Sequence, residues 1–175
     1  DGTLSSGEKF DVLLRPKGQG KRWVKIRTTD AGNMLRTLDV YDTMVGGTLD
    51  VEATFDDTID DNPLTGEVLI RDYRLVDAPA LAQLVGEMTL ARLKEALQGD
   101  GLAFSKFTAP FVIKNGVIDV KNVKATGLSL GYTAKGKIYT FTEAIDIEGT
   151  VVPIYALNSV LGNIPIIGTI LTGTE

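Results

Sequence analysis

The chain has 175 residues, is 43% hydrophobic and 23% charged, and so has the length and apolar content of one domain with a buried core. Its 18 Lys and Arg against 23 Asp and Glu give a net charge of -5, which excludes an overall positive field for a nucleic acid. With no His and no Cys, it lacks His-based general bases, Ser-His-Asp and Cys-His groupings, disulfides, and zinc sites built from those side chains.

In chain order, residues 1–30 carry seven basic and four acidic side chains, with no basic segment leading into an apolar run that would mark a signal peptide. Val24 and Ile26 alternate with Trp23, Lys25 and Arg27, as in a strand with one wet face. Between Val12–Arg15 and Trp23–Arg27, the stretch Lys17-Gly18-Gln19-Gly20 reads as a hairpin loop, since no phosphate-cradling spacing follows it. Trp23 with Lys21, Arg22, Lys25 and Arg27 makes a basic, aromatic strip, read as a solvated strand face in preference to a headgroup or nucleic-acid site.

Asp30 ahead of Ala31–Leu38 predicts a short capped helix, with Met34, Leu35 and Leu38 at helical spacing. The clearest strand is Leu49, Val51, Ala53 and Phe55 against Asp50, Glu52, Thr54 and Asp56. Asp50 and Glu52 stand side by side on its water-facing side, which does not make a hydrolytic carboxylate pair. Residues 39–77 hold eleven acidic and two basic side chains. The run Asp56-Asp57-Thr58-Ile59-Asp60-Asp61-Asn62, with Glu67 beyond it, imitates a calcium loop only superficially, because Asp61 stands where glycine is required. It is read as a hairpin loop.

Asp77 before Ala78-Pro79, then a run ending at Gly99, predicts a helical insertion over about 78–98. Ser105-Lys106 does not make a catalytic pair, since adjacent strand residues point to opposite faces. Asn115-Gly116, between Phe111–Ile113 and Val117–Val120, predicts a two-residue type I′ hairpin. Ile145, Ile147, Gly149 and Val151 alternate with Asp146, Glu148 and Thr150. From Gly149 to Thr174 there are 26 residues without a formal charge. Pro153, Asn158, Gly162, Asn163, Pro165 and Gly168 break this stretch, which predicts two short apolar helices, about 154–161 and 166–171, and not a membrane span.

These elements predict a mainly β chain with inserted short helices, an α+β domain built on an antiparallel sheet. Many one-sided strands with few helices to cover them leave an apolar trough.

Four blocks resemble the C-terminal region of AsmA-like envelope proteins of the YhdP type: DAGNMLRTLDVYDTMVGGTLDVEA (30–53), DAPALAQLVGEMTLARLKEALQGDGLAF (77–104), GLSLGYTAKGKI (127–138) and IEGTVVPIYALNSVLGNIPIIGTILTG (147–173). The resemblance covers residues 30–175 and implies that the chain is a single-domain piece of a longer protein. That protein would lie in the Gram-negative periplasm, anchored in the inner membrane by an N-terminal helix outside this sequence. The resemblance further implies a curled antiparallel sheet forming a groove or half-barrel, which carries phospholipid acyl chains between inner and outer membranes and supports outer-membrane integrity. No enzyme activity, cofactor, metal or nucleic-acid partner is expected.

Leu49, Val51, Phe55, Ile145, Ile147 and Val151 are the candidate groove residues. Ile154, Tyr155, Leu161, Ile166 and Ile167 are candidates for contact with a membrane surface or an envelope protein. The alternative is a structural or protein-interaction cap whose tail, 153–171, docks on an envelope partner or membrane surface. In that case the alternating strand residues face a closed core.

Overall fold

A computed structural model of the chain describes residues 2–3, 7, 9–76, 101–128 and 130–153. Within them, nine strands and one helix follow in the order β1 (Gly2–Thr3), β2 (Lys9–Gly18), β3 (Lys21–Thr28), α1 (Ala31–Thr37), β4 (Met44–Asp56), β5 (Leu64–Leu75), β6 (Leu102–Lys114), β7 (Val117–Gly127), β8 (Leu130–Tyr139) and β9 (Ala144–Pro153). Each strand pairs antiparallel with its chain neighbours, giving one nine-stranded sheet in the order β1 to β9 that curls without closing. The expected mainly β, curled antiparallel fold is therefore the one the chain adopts. The predicted insertion at 78–98 and the tail helices beyond Pro153 lie outside the described residues.

Turn chemistry sets the registers. Gln19 and Gly20 between β2 and β3 have φ of 52° and 67°, and Asn115 and Gly116 between β6 and β7 have φ of 52° and 69°. Both pairs are left-handed, as a two-residue turn must be to match the strands' twist. In α1, a carboxylate oxygen of Asp30 accepts a hydrogen bond from the Asn33 N–H at 3.0 Å. Ala31, Gly32 and Met34 are the buried helix residues, and a Cβ on Gly32 would collide with the Met44 carbonyl, so α1 rests directly on β4. Leu38 departs from the expectation that it packs with Met34: it is the C-cap residue, 59% exposed.

Directly opposed residues share a face. Following the pairs Val12–Ile26, Ile26–Val51, Val51–Val68, Val68–Ala109, Tyr132–Ala125 and Tyr132–Val151 places one apolar face across β2 to β9. The other face carries Lys25–Glu52, Arg27–Asp50 and Lys135–Glu148 in register.

A crease crosses the middle of the sheet. Met44 and Leu49, Tyr73 and Ile70, and Phe104 and Phe107 are pairs on the apolar face, yet each pair is separated by an odd number of positions. Between them, Gly46, Gly47 and Asp72 take φ of 65°, 84° and 54°, and β6 bulges between Phe104 and Lys106 against β7. These irregularities flip the alternation in three neighbouring strands together, so the apolar face continues on both sides of the crease. A second irregularity lies between Thr108 and Phe111, where Pro110, which has no N–H to donate, meets the shifted β7 register.

Candidate functional site

The apolar face is filled at one end of the strands and open at the other. The end bearing α1 holds the packed cluster of Ala31, Met34, Met44, Leu49, Ile70, Tyr73, Leu75, Leu102, Phe104, Ala125 and Leu130. Aromatic rings organise it: Tyr73 stacks on Phe104 with centroids 5.2 Å apart and planes 10° apart, and Tyr132 meets Phe104 edge-on at 5.7 Å. Burial pushes the phenols of Tyr73 and Tyr132 upward, so both are neutral donors at ordinary pH.

Toward the hairpin turns 19–20, 115–116 and 140–143, the same face loosens. Phe55, Leu64, Ile113, Ile118 and Ile138 are only half-buried. The two flanks are more open still, with Val12 47% and Leu14 55% exposed on β2, and Ile145 69% and Ile147 45% exposed on β9. Small residues line the face where the strands crowd: a Cβ on Gly66 would lie 2.5 Å from that of Ala53 across the β4–β5 pair. Crowding of this kind is what the inner side of a curled sheet requires.

The six groove candidates occupy three environments on this one face. Leu49 is 6% exposed and belongs to the filled end, which makes it a core residue. Val51 and Val151 are half-buried against that core, and Phe55 is half-buried farther along. Ile145 and Ile147 are exposed. Ile154, Tyr155, Leu161, Ile166 and Ile167 lie outside the described residues. Residue alternation did not single out Tyr73, Phe104 or Tyr132, which lie on β5, β6 and β8 and meet only because Tyr132 reaches across β7 to Phe104.

The basic strip divides between the two faces. Lys21, Lys25 and Arg27 meet Asp56, Glu52 and Asp50 on the outer face, where the Lys21–Asp56 and Arg27–Asp50 contacts are 3.0 and 2.9 Å. Arg22 lies on the inner side opposite Phe55, its guanidinium 4.6 Å from the ring centre. Its Nε and Nη2 donate to the Asp57 carboxylate at 2.6 and 2.7 Å. That fork holds Asp57 below the ordinary carboxylate range and raises Arg22. The acidic loop 56–62 thus acts as a clamp on the neighbouring hairpin, with the Asp57 N–H donating to the Gly20 carbonyl at 2.8 Å. Among the described residues no group of His, Cys, Asp and Glu is placed to hold a metal ion.

No helix among the described residues is long and apolar enough to cross a membrane. No family model, curated protein or solved structure matches the chain.

Proposed function

We propose that this chain is a non-catalytic domain of the bacterial envelope whose inner apolar face holds phospholipid acyl chains, as one section of a hydrophobic route between the inner and outer membranes. The observation that carries this reading is the accessible part of that face: Val12, Leu14, Ile145 and Ile147 remain 40% or more exposed on a sheet that curls around them. Each acyl methylene removed from water there is worth about 0.8 kcal/mol, so about ten methylenes give about 8 kcal/mol before the entropic cost of immobilising the chain. A flexible chain needs no directional partner in such a trough, which suits a face with few polar side chains. The resemblance of residues 30–175 to AsmA-like proteins of the YhdP type supports the same reading, and with it a periplasmic location.

The test is native mass spectrometry of the purified chain together with lipid extraction from the same sample. Stoichiometric phospholipid that survives delipidating washes is the expected result, along with crosslinking of lipid to a photoreactive residue at position 147. A lipid-free mass with no crosslink would overturn the reading and favour the second one, a cap that docks on an envelope partner. The filled end of the face, with Leu49, Tyr73 and Phe104 at 6%, 1% and 2% exposure, is what favours that second reading.

A further inference from the structure

The outer face pairs opposite charges toward both flanks but sets like charges opposite one another in its centre, where Glu52 of β4 meets Glu67 of β5. Between β3 and β4 the cations Lys21, Lys25 and Arg27 stand opposite carboxylates, and between β8 and β9 Lys135 and Lys137 stand opposite Glu148 and Asp146. In the central strands the rule fails. Arg71 of β5 lies directly opposite Lys106 of β6. Lys106 is paired with Thr126 of β7, two residues from Lys124 on the same face, so Lys124 is its diagonal neighbour. All three side chains are exposed, and among the described residues none has a carboxylate within ion-pair distance. Asp50, diagonal to Arg71 across the β4–β5 pair, is engaged by Arg27 at 2.9 Å and Lys25 at 3.6 Å.

Like charges set directly opposite on a sheet are destabilising, and nothing in the fold needs cations at these positions, since the outer face contributes little to the core. An anion placed among them removes the repulsion and gains charge-assisted hydrogen bonds. The surroundings suit a phosphoryl group. Thr48 pairs with Arg71, Thr126 with Lys106 and Thr108 with Lys124, so hydroxyl donors alternate with the cations. Arg71 also forms one wall of a cleft of about 620 Å³ that Lys9, Arg27 and Thr48 help to line. The two carboxylates of that cleft, Asp11 and Asp50, lie on either side of Arg27 in register, and Asp50, though diagonal to Arg71, is held by Arg27 and Lys25.

We propose that Arg71, Lys106 and Lys124 form a binding site on the outer face for a phosphate-bearing ligand. The site is on the opposite side of the sheet from the acyl-chain face, so it stands or falls independently of the lipid-groove reading.

Calorimetric titration of the full chain with pyrophosphate tests it. Saturable binding that weakens as salt rises is expected, and Arg71→Gln and Lys106→Gln should each lower affinity about tenfold, the loss of roughly one charge-assisted contact. Each substitution should also raise the melting temperature in ligand-free buffer, because it removes one member of the like-charge pair. That second readout separates loss of a binding group from damage to the fold. Flotation with phosphatidylcholine vesicles, with and without phosphatidylglycerol, identifies the source of the phosphate. Phosphatidylglycerol-dependent flotation that both variants lose assigns a lipid headgroup, and pyrophosphate binding without flotation assigns a soluble phosphate ester. No saturable binding of either probe, or undiminished binding by both variants, would overturn the proposal.

Discussion

Tyr73 stacks on Phe104 in the filled end of the sheet, 1% exposed, and among the described residues its hydroxyl makes no hydrogen bond of good geometry and interacts only weakly with the Tyr132 phenol. A buried donor without a good hydrogen bond costs about 1–3 kcal/mol, so the ring contributes packing while its oxygen works against stability. Tyr73→Phe is expected to raise unfolding free energy in urea by about 1 kcal/mol. The alkaline limb should change as well. Burial, and after it the neighbouring Tyr132 phenol, hold the Tyr73 phenol above its ordinary value of 10.0, so the folded state keeps a proton that the unfolded state gives up. Stability from this group is complete below pH 10.0 and is lost as pH rises beyond it. The phenylalanine variant should lose less stability over that range, and equal alkaline limbs would show that Tyr73 is hydrated in solution.

Gly66 and Ala53 make the tightest part of the curl measurable. A methyl group at Gly66 would stand 2.5 Å from the Ala53 Cβ and press on the Glu52 carbonyl. Backbone atoms cannot give way cheaply there, so Gly66→Ala should destabilise by about 1–3 kcal/mol. The neighbouring exposed position provides the control: Thr65→Ala is expected to stay within about 0.5 kcal/mol of the parent. Similar urea midpoints for the two variants would mean that the sheet is flatter at this point.

Local chemistry made much of this fold readable. Asp30 ahead of an apolar helical spacing, Asn115-Gly116 between apolar runs, and the alternation 49–56 each rest on neighbours in sequence, and each lies where it was expected. The crease was not readable, because alternation presumes an unbroken pleat. The Gly46-Gly47 pair hints at an interruption, but Asp72 and Ser105 carry no such signal, and only strand pairing reveals that the three lie abreast. For the same reason Leu49 and Ile147 look alike in sequence, both apolar and alternating, while 6% and 45% exposure separate a core residue from an accessible one. Burial along a strand depends on what lies over each end of the sheet, which periodicity does not encode.

Acid should loosen the hairpin end before the filled end. Asp57 is held low by Arg22, and Asp56 is held low first by the Thr58 hydroxyl and then by Lys21. A depressed folded value means that the unfolded state binds more protons, so this contribution is present above the ordinary carboxylate value of 3.8 and is lost as pH falls below it through the lower folded values. Amide exchange at Asp57, whose N–H ties the loop to Gly20, should accelerate over that range, while Tyr73 and Phe104 amides stay protected. Asp57→Asn should show fast exchange at Asp57 already at neutral pH. Uniform loss of protection across the sheet would refute a local clamp.

Substitution by arginine on the inner face separates folding from lipid retention. Val51 is half-buried against the core, and a guanidinium there has no carboxylate opposite it, since the facing residues are Ile26 and Val68. Val51→Arg is therefore expected to destabilise by on the order of 3 kcal/mol, so any lipid lost with it reports on folding alone. Ile147 lies on β9, the edge strand among the described residues, 45% exposed and opposite Gly136, and an arginine there can turn its guanidinium into water. Ile147→Arg should keep the circular dichroism spectrum and melting temperature of the parent while losing co-purified phospholipid. Ile147→Leu, which restores apolar area, should regain it. A folded Ile147→Arg protein that retains lipid at the parent's stoichiometry would remove the β9 flank from the acyl-chain path.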